Sequence, residues 1–325
     1  MKKLTLLLVL LSTAILCGCT GAQSDSKKYT IAVIPKGTTH PFWKSVHAGA
    51  MKAVGDYKAQ GVNVDVIWKG PLREDDREQQ IQVVEGFISQ GVNGIVLAPL
   101  DSKALIRPVE EAKRAGVPTV IIDSALESDQ ITSFAATDNR KGGQMAAERL
   151  GQLLGGSGKI IMLRYLEGSA STTDREEGFL EVMRSRFPNI ELMSTDQYAG
   201  ATRDSAKRAA ENLLQRLGDQ VTGIYASNEP ATTGMLLALQ DRGLAGKVTF
   251  VGFDSSPQFI EAIKNKQMQG IVVQNPFAIG ELGVKAMIDS LLGRPFEKRV
   301  DTGVMLITSE NMNSAEAQQL LNPPV

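Results

Sequence analysis

The sequence predicts an α/β protein built as two doubly wound lobes, each around a parallel sheet. Three observations carry this. Apolar, β-branched runs alternate with amphipathic helical stretches through most of the 325 residues. The strand runs are apolar on both faces, as in parallel sheets covered by helices on each side. Setting aside an N-terminal leader leaves about 300 residues, too many for one average domain and suited to two.

Taken in order, strand Thr30–Pro35 opens the first set, and helix Phe42–Gln60 follows, stopped at Gly61. Strand Asn63–Trp68 leads to helix Asp76–Gln90, ended by Gly91. Strand Gly94–Ala98 precedes helix Lys103–Ala115, which Gly116-Val117-Pro118 closes before strands Thr119–Asp123 and Ile131–Ala136. The second set begins with helix Arg140–Leu154, closed by Gly155-Gly156, and strand Lys159–Arg164. Helix Thr173–Phe187, strand Glu191–Thr195, helix Thr202–Leu217 and strand Gly223–Ala226 continue it. Helix Pro230–Arg242 stops at Gly243, and strands Thr249–Gly252 and Gly270–Val273 precede helix Pro276–Leu292. Glycine after a helix suits the left-handed cap. No short repeat or low-complexity stretch appears, and the tail Asn322-Pro323-Pro324-Val325 is expected to fray.

The N-terminus bears on location. Lys2 and Lys3 precede an apolar run from Leu4 to Leu16. A basic start, a short apolar stretch and a small residue before a cut describe a secretory signal, here residues 1–18. The run is shorter than the ~20 residues a spanning helix needs. Leu16-Cys17-Gly18-Cys19 resembles the lipobox of bacterial lipoproteins. That resemblance makes Cys19 the lipidated residue and 19–28 a lipidated tether, so the chain is expected outside the cytoplasm, in the periplasm or at the cell surface, held to a membrane by acyl chains such as palmitate.

Composition narrows the chemistry. Hydrophobic residues are 42% and charged residues 22%, an ordinary globular balance. The net charge of −1 offers no basic face for nucleic acid. The two cysteines are Cys17 and Cys19, so the mature domain is expected to have neither disulfide nor thiol chemistry. With His40 and His47 as the sole histidines, no metal site and no cofactor are expected. His47 lies in the first helix and is read as structural.

Open parallel sheets bind ligands at the carboxyl ends of their strands. The segments there include Lys36 to Trp43, Asp123-Ser124, Tyr165 to Arg175, Asp196 to Tyr198, Ser227-Asn228-Glu229, Phe253-Asp254 and Gln274-Asn275. They are rich in Asp, Asn, Gln, Arg and aromatics. Hydroxyls take in-plane donors and acceptors, and the C–H faces of a sugar pack on rings, so this mix suits a neutral polyhydroxylated ligand. For any single residue the competing reading is ordinary cap chemistry at a strand-to-helix turn.

An ordered set of fragments carries a family resemblance from Tyr29 to about Leu306: His40-Pro41-Phe42-Trp43, Gly94-Ile95-Val96-Leu97-Ala98-Pro99, Val117-Pro118 leading to Asp123, Thr137-Asp138-Asn139 with Gly142-Gly143, Arg175-Glu176-Glu177-Gly178-Phe179, Ala226-Ser227-Asn228-Glu229, Val251-Gly252-Phe253-Asp254 and Gln274. The mature chain resembles a type I periplasmic binding protein of the ribose-binding kind, the substrate-binding part of an ABC importer. The resemblance implies two lobes joined by a three-strand hinge, residues 29–136 plus 275–303 and residues 137–274 plus 304–325. It implies ligand contacts from His40, Asp123, Arg175, Asn228, Asp254 and Gln274, aromatic walls from Phe42 and Trp43, and a closing aromatic, Tyr198, from the second lobe. The expected partners are a monosaccharide and the membrane permease, with the protein itself a monomer. Three departures stand out. Ser124 follows Asp123 where ribose binders carry a second arginine, His40 replaces an Asn, and Lys36 resembles a lysine of autoinducer-2 binders, here placed either on the ligand or against a neighbouring carboxylate. They point away from ribose itself toward another pentose, a hexose or a polyol.

The alternative is an autoinducer-2-like or sugar sensor whose loaded form docks on a chemoreceptor or sensor kinase. An enzyme is not expected: no Gly-x-Ser-x-Gly elbow and no His-Glu-x-x-His is present, and His40 is the sole candidate base. A repressor would carry a helix-turn-helix where the signal stands.

Overall fold

The computed structural model describes residues 27–323. Two six-stranded sheets form its frame. The first contains β1 (Tyr29–Ile34), β2 (Val64–Trp68), β3 (Gly94–Leu97), β4 (Thr119–Ile122), β5 (Ser133–Ala136) and β11 (Arg299–Asp301), in the order β11-β5-β4-β3-β1-β2. The second contains β6 (Gly158–Arg164), β7 (Ile190–Tyr198), β8 (Gly223–Ala226), β9 (Thr249–Phe253), β10 (Gly270–Gln274) and β12 (Val304–Ile307), in the order β12-β10-β9-β8-β6-β7. Each lobe thus repeats one topology, and in each the chain order reverses beside the lobe's first strand. That reversal opens the crevice in which doubly wound sheets bind ligands.

Helices α1 (Pro41–Ala59), α2 (Arg77–Ser89), α3 (Ile106–Arg114) and α9 (Pro276–Leu291) cover the first sheet. Helices α4 (Asn139–Leu153), α5 (Ala170–Arg186), α6 (Arg203–Leu217), α7 (Glu229–Asp241), α8 (Pro257–Lys264) and α10 (Ala315–Leu321) belong to the second. Period-two alternation divides each strand between two cores. Ile31 and Val33 face the α1/α9 side, whereas Ala32 and Ile34 face the α2/α3 side. In the second lobe Ile161 and Leu163 face one layer, and Ile160 and Met162 the other. The helix-ending glycines act as the sequence suggests: Gly61, Gly91, Gly116, Gly155, Gly156 and Gly243 all have positive φ.

The structure differs from the sequence reading in particular places. All pairings are parallel except β10 with β12, which is antiparallel. The chain reaches β12 from β11, in the other sheet, through two residues; it enters the second sheet beside the end of β10, with Val304 opposite Gln274, and so runs back against β10. Helix α3 starts at Ile106 rather than Lys103 because Asp101 Oδ1 takes the N–H groups of Lys103 and Ala104 at 2.9 Å each, which stabilises a turn there. Strand β7 runs past Thr195 to Tyr198, since Gln197 and Tyr198 still pair with Leu163 and Arg164 across an irregular register. The sequence reading leaves β11, α8 and α10 out of its run of elements because they are short; α8 nonetheless buries Phe259, Ala262 and Ile263 on one face. The leader, Cys19, the tether to residue 26, and Pro324-Val325 lie outside the described residues.

The chain passes between the sheets three times: after β5, after β10 and between β11 and β12. Side chains tie the passages together. Thr137 Oγ1 donates to Gln274 Oε1 at 3.1 Å and lies 3.4 Å from Thr302 Oγ1. The three linkers therefore meet at one buried polar knot.

Candidate functional site

Between the lobes lies a cleft lined from both sides. The lobes also touch directly around it. Ser102 N–H donates to Gly168 O at 2.9 Å, and Arg77 donates to Glu167 O at 2.7 Å.

From the first lobe come the residues that follow β1 and β4. Lys36 is buried, and its Nζ meets Asp123 Oδ2 at 2.8 Å and donates to Ser171 Oγ of the second lobe at 3.1 Å. Both members of this ion pair are about 5% exposed. Their charges cancel inside the cleft, and removing either would strand the other. His40 caps α1 with Nδ1 accepting the Phe42 N–H at 3.1 Å, while Nε2 meets Glu229 Oε2 of the second lobe at 2.7 Å. Burial disfavours the imidazolium, but the hydrogen bond and charge of Glu229, with Glu74 and Asp254 adding, raise the His40 pKa above 6.5. The Nε2–H tautomer makes both contacts at once; a proton on Nδ1 gives up the Phe42 cap, worth ~1 kcal/mol, while the Glu229 charge favours that proton. Phe42 is half-buried and meets Trp43 edge-on at 5.0 Å between centroids. Trp43 is only 2% exposed and packs in the first lobe's core as well as lining the cleft. It is thus a core side chain too, not a freely solvated face.

The second lobe supplies Arg175, Asn228, Asp254 and Gln274. Arg175 is buried on α5, with Nε donating to Asn139 Oδ1 at 2.8 Å, Nη1 to Ser227 O at 3.1 Å, and the guanidinium 3.8 Å over the Phe253 ring. Position 143 must be Gly for this placement, because a Cβ there would strike the Arg175 carbonyl. The acids beside Arg175 do not claim it. Glu176 accepts from Arg164 at 2.6 Å, the Tyr165 N–H and the Ser227 hydroxyl, and Glu177 pairs with Arg140. Asn228 caps α7 through the Ala231 N–H at 3.2 Å and lines the cleft. Asp254 does not cap α8, a role Ser256 takes. It instead accepts the Glu229 N–H at 3.0 Å and Gln274 Nε2 at 2.8 Å. Burial raises the Asp254 pKa despite the opposing charge of Arg175 and the Gln274 bond. Gln274 thereby joins the cleft to the knot at Thr137.

Asp123 and Asp254 occupy equivalent places, just beyond β4 and β9, and both are left-handed, at φ 64° and 68°. Asp tolerates this region better than most residues, and held strain of this kind clusters at functional sites. Glu229 is buried; burial opposes its charge, but His40 and Arg203 hold its pKa down at about 2. Among the described residues no group of three or more His, Cys, Asp or Glu could hold a metal, and no helix is long and apolar enough to cross a membrane.

A family model described as periplasmic binding protein domain matches residues 31–295. The chain belongs to the periplasmic binding protein family. Within it, the chain is 29% identical to the ribose import binding protein of Bacillus subtilis (strain 168), covering 95% of this chain and all of that one. It is 32% identical to the D-allose-binding periplasmic protein of Escherichia coli (strain K12) over 80% of this chain and 83% of the relative. Two solved structures are 32% identical: a carbohydrate transporter solute binding protein from Agrobacterium radiobacter in complex with D-arabinose, with TM-score 0.85 over 91% of this chain and 99% of that one, and an ABC transporter solute binding protein from Agrobacterium vitis with bound D-fucose, with TM-score 0.86 over 90% and 100%. The family is one of binding proteins, not enzymes.

Nine of the ten residues expected from the sequence come together at this binding protein's cleft: Lys36, His40, Phe42, Trp43, Asp123, Arg175, Asn228, Asp254 and Gln274. Tyr198 does not. It ends β7, the edge strand of its sheet, is 36% exposed and carries the Arg164 guanidinium over its ring at 5.1 Å. An edge strand ends away from the crevice, so the second lobe's aromatic is Tyr165, directly after the inner strand β6. Of its two expected placements, Lys36 takes the one against a neighbouring carboxylate, Asp123, while also lining the cleft. The sequence reading did not single out Glu74, or, within its strand-end segments, Tyr165, Ser171 and Thr172, as lining residues, nor Asn139 as the partner of Arg175 and Glu229 as that of His40. Glu74 follows β2, and the strand-end rule extended past Trp68 reaches it.

Proposed function

We propose that this protein captures a neutral monosaccharide (a pentose, hexose or polyol) by closing its two lobes, then delivers it to the permease of an ABC importer. The carrying observation is one cleft in which both lobes present hydrogen-bonding side chains beside aromatic rings, with cations and carboxylates offsetting one another. Relatives described as binding ribose, D-allose and xylitol, and similar structures holding D-arabinose and D-fucose, support the ligand class. In this reading residues 29–136 plus 275–303 and residues 137–274 plus 304–325 move as two bodies about the Thr137–Gln274–Thr302 knot. The closed form selects the sugar because its contacts come from both bodies.

A thermal-shift screen of pentoses, hexoses, polyols and autoinducer-2 tests the reading. A ligand at 100 times its Kd adds ~2.7 kcal/mol to the folded state. Failure of every sugar to raise Tm, with a shift by autoinducer-2 alone, would replace import of a sugar by sensing. The finer partners belong to the same proposal: a monomer that acts beyond the cytoplasmic membrane, whose loaded form a chemoreceptor or sensor kinase could also read. So does the anchor. Cys19→Ser is expected to release the protein or leave its signal uncut, and unchanged detergent partitioning of that variant would dismiss lipidation.

A further inference from the structure

Glu74 stands in the turn between β2 and α2, and its two carboxylate oxygens are shared between the lobes. Oε1 accepts the indole N–H of Trp43, from the first lobe, at 2.6 Å. Oε2 accepts the hydroxyl of Tyr165, from the second lobe, at 2.6 Å. Bonds to an ionised acceptor are the short, strong class. Burial first, and then the charge and hydrogen bond of Glu74, hold the Tyr165 phenol well above 10, so it stays a donor. The neighbouring backbone leaves the necessary space: a Cβ on Gly37 would lie 2.9 Å from Glu74 Cγ and 3.5 Å from Glu74 N. All three of Trp43, Glu74 and Tyr165 line the cleft.

We propose that Glu74 is a specificity-determining residue, a carboxylate clasp that fixes the aromatic walls of opposite lobes in one mutual arrangement only when the cleft is shut. This rests on the sugar-receptor reading and deepens it. A ligand small enough for full closure keeps both bonds. One that props the lobes apart loses the Tyr165 bond, and the lost bond is a penalty applied to the wrong ligand. The clasp therefore sets the size of sugar the site accepts.

A double-mutant cycle tests it. Calorimetry would use D-ribose, D-arabinose, D-fucose, D-allose and xylitol, taking the one that wild type binds tightest. Glu74→Gln keeps the volume but has one acceptor oxygen, and Tyr165→Phe removes the donor. Each is expected to weaken binding about tenfold, the scale of one hydrogen bond to a charged group, and the double variant no further than the worse single. Additive losses, or no loss with Tyr165→Phe, would overturn the clasp. Gly37→Ala displaces Glu74 without changing its charge, and should weaken binding in a way Tyr165→Phe does not compound. This second route decides the matter if Glu74→Gln folds poorly. Should wild type bind none of the five, the sugar reading fails by itself. The clasp is then judged by the same cycle run with autoinducer-2, the other ligand of the thermal-shift screen, where additive losses, or no loss with Tyr165→Phe, would dismiss it.

Discussion

Replacing Arg175 by Ala removes the cleft's most deeply placed cation. Two effects are expected, and they differ in size and readout. In the empty protein, Asn139 Oδ1 and Ser227 O lose their donors at 2.8 and 3.1 Å, and the Phe253 ring loses its cation at 3.8 Å. A buried polar atom left unpaired costs ~1–3 kcal/mol, and a cation–π contact contributes ~0.5–2. Water entering the cleft relieves part of this, so a stability loss of about 2–4 kcal/mol is expected by urea denaturation. In the bound protein, a charge-assisted bond to a sugar oxygen is worth ~1.5–3 kcal/mol, about ten- to a hundredfold in Kd. Arg175→Lys restores the charge without the planar fork and should recover little, because Asn139 and Ser227 require two separated N–H donors. Calorimetric titration alongside denaturation separates the two effects. Lower stability with unchanged sugar affinity would show Arg175 to be a strut between α4 and β8, and the ligand role argued for it would fall.

The His40–Glu229 bridge between the lobes makes closure depend on pH. His40 is raised above 6.5, so its contribution is full below 6.5 and is lost as pH rises through that raised value; Glu229 is depressed from 4.5 to about 2, so its contribution is full above 4.5 and is lost as pH falls toward 2. Sugar affinity should therefore be highest between these limits, and His40→Asn should flatten the alkaline limb; an unaltered limb in that variant would remove His40 from the account. Trp43→Ala should cost about 3–5 kcal/mol of stability as well as affinity, because the ring is core as much as wall; an unchanged Tm would contradict the burial. Gly143→Ala forces α4 off the Arg175 carbonyl and should destabilise the second lobe by ~1–3 kcal/mol or more, with sugar affinity falling alongside. Retained affinity and Tm would show that the close approach is dispensable.

The sequence by itself determined the alternation of elements, the doubly wound lobes and the strand-end segments that meet at the cleft, and the family resemblance picked nine cleft residues out of them. Strand and helix periodicity is local, and the carboxyl ends of parallel strands fall together in any such sheet, so Lys36, Asp123, Asn228 and Asp254 were legible from position alone. Tertiary structure decided what depends on which strand lies where. Tyr198 and Tyr165 both follow strands, and only the order of the sheet shows that β7 is an edge and β6 is not. The antiparallel β12 follows from where the chain enters the second sheet, beside the end of β10 with Val304 opposite Gln274, a pairing no local pattern announces. The pairings of Lys36 with Asp123, His40 with Glu229, and Glu74 with Trp43 and Tyr165 join residues 87, 189, 31 and 91 positions apart. No local pattern encodes such pairs. They form because two folded lobes bring their loop residues within hydrogen-bond reach, where partial burial makes each charge demand a partner.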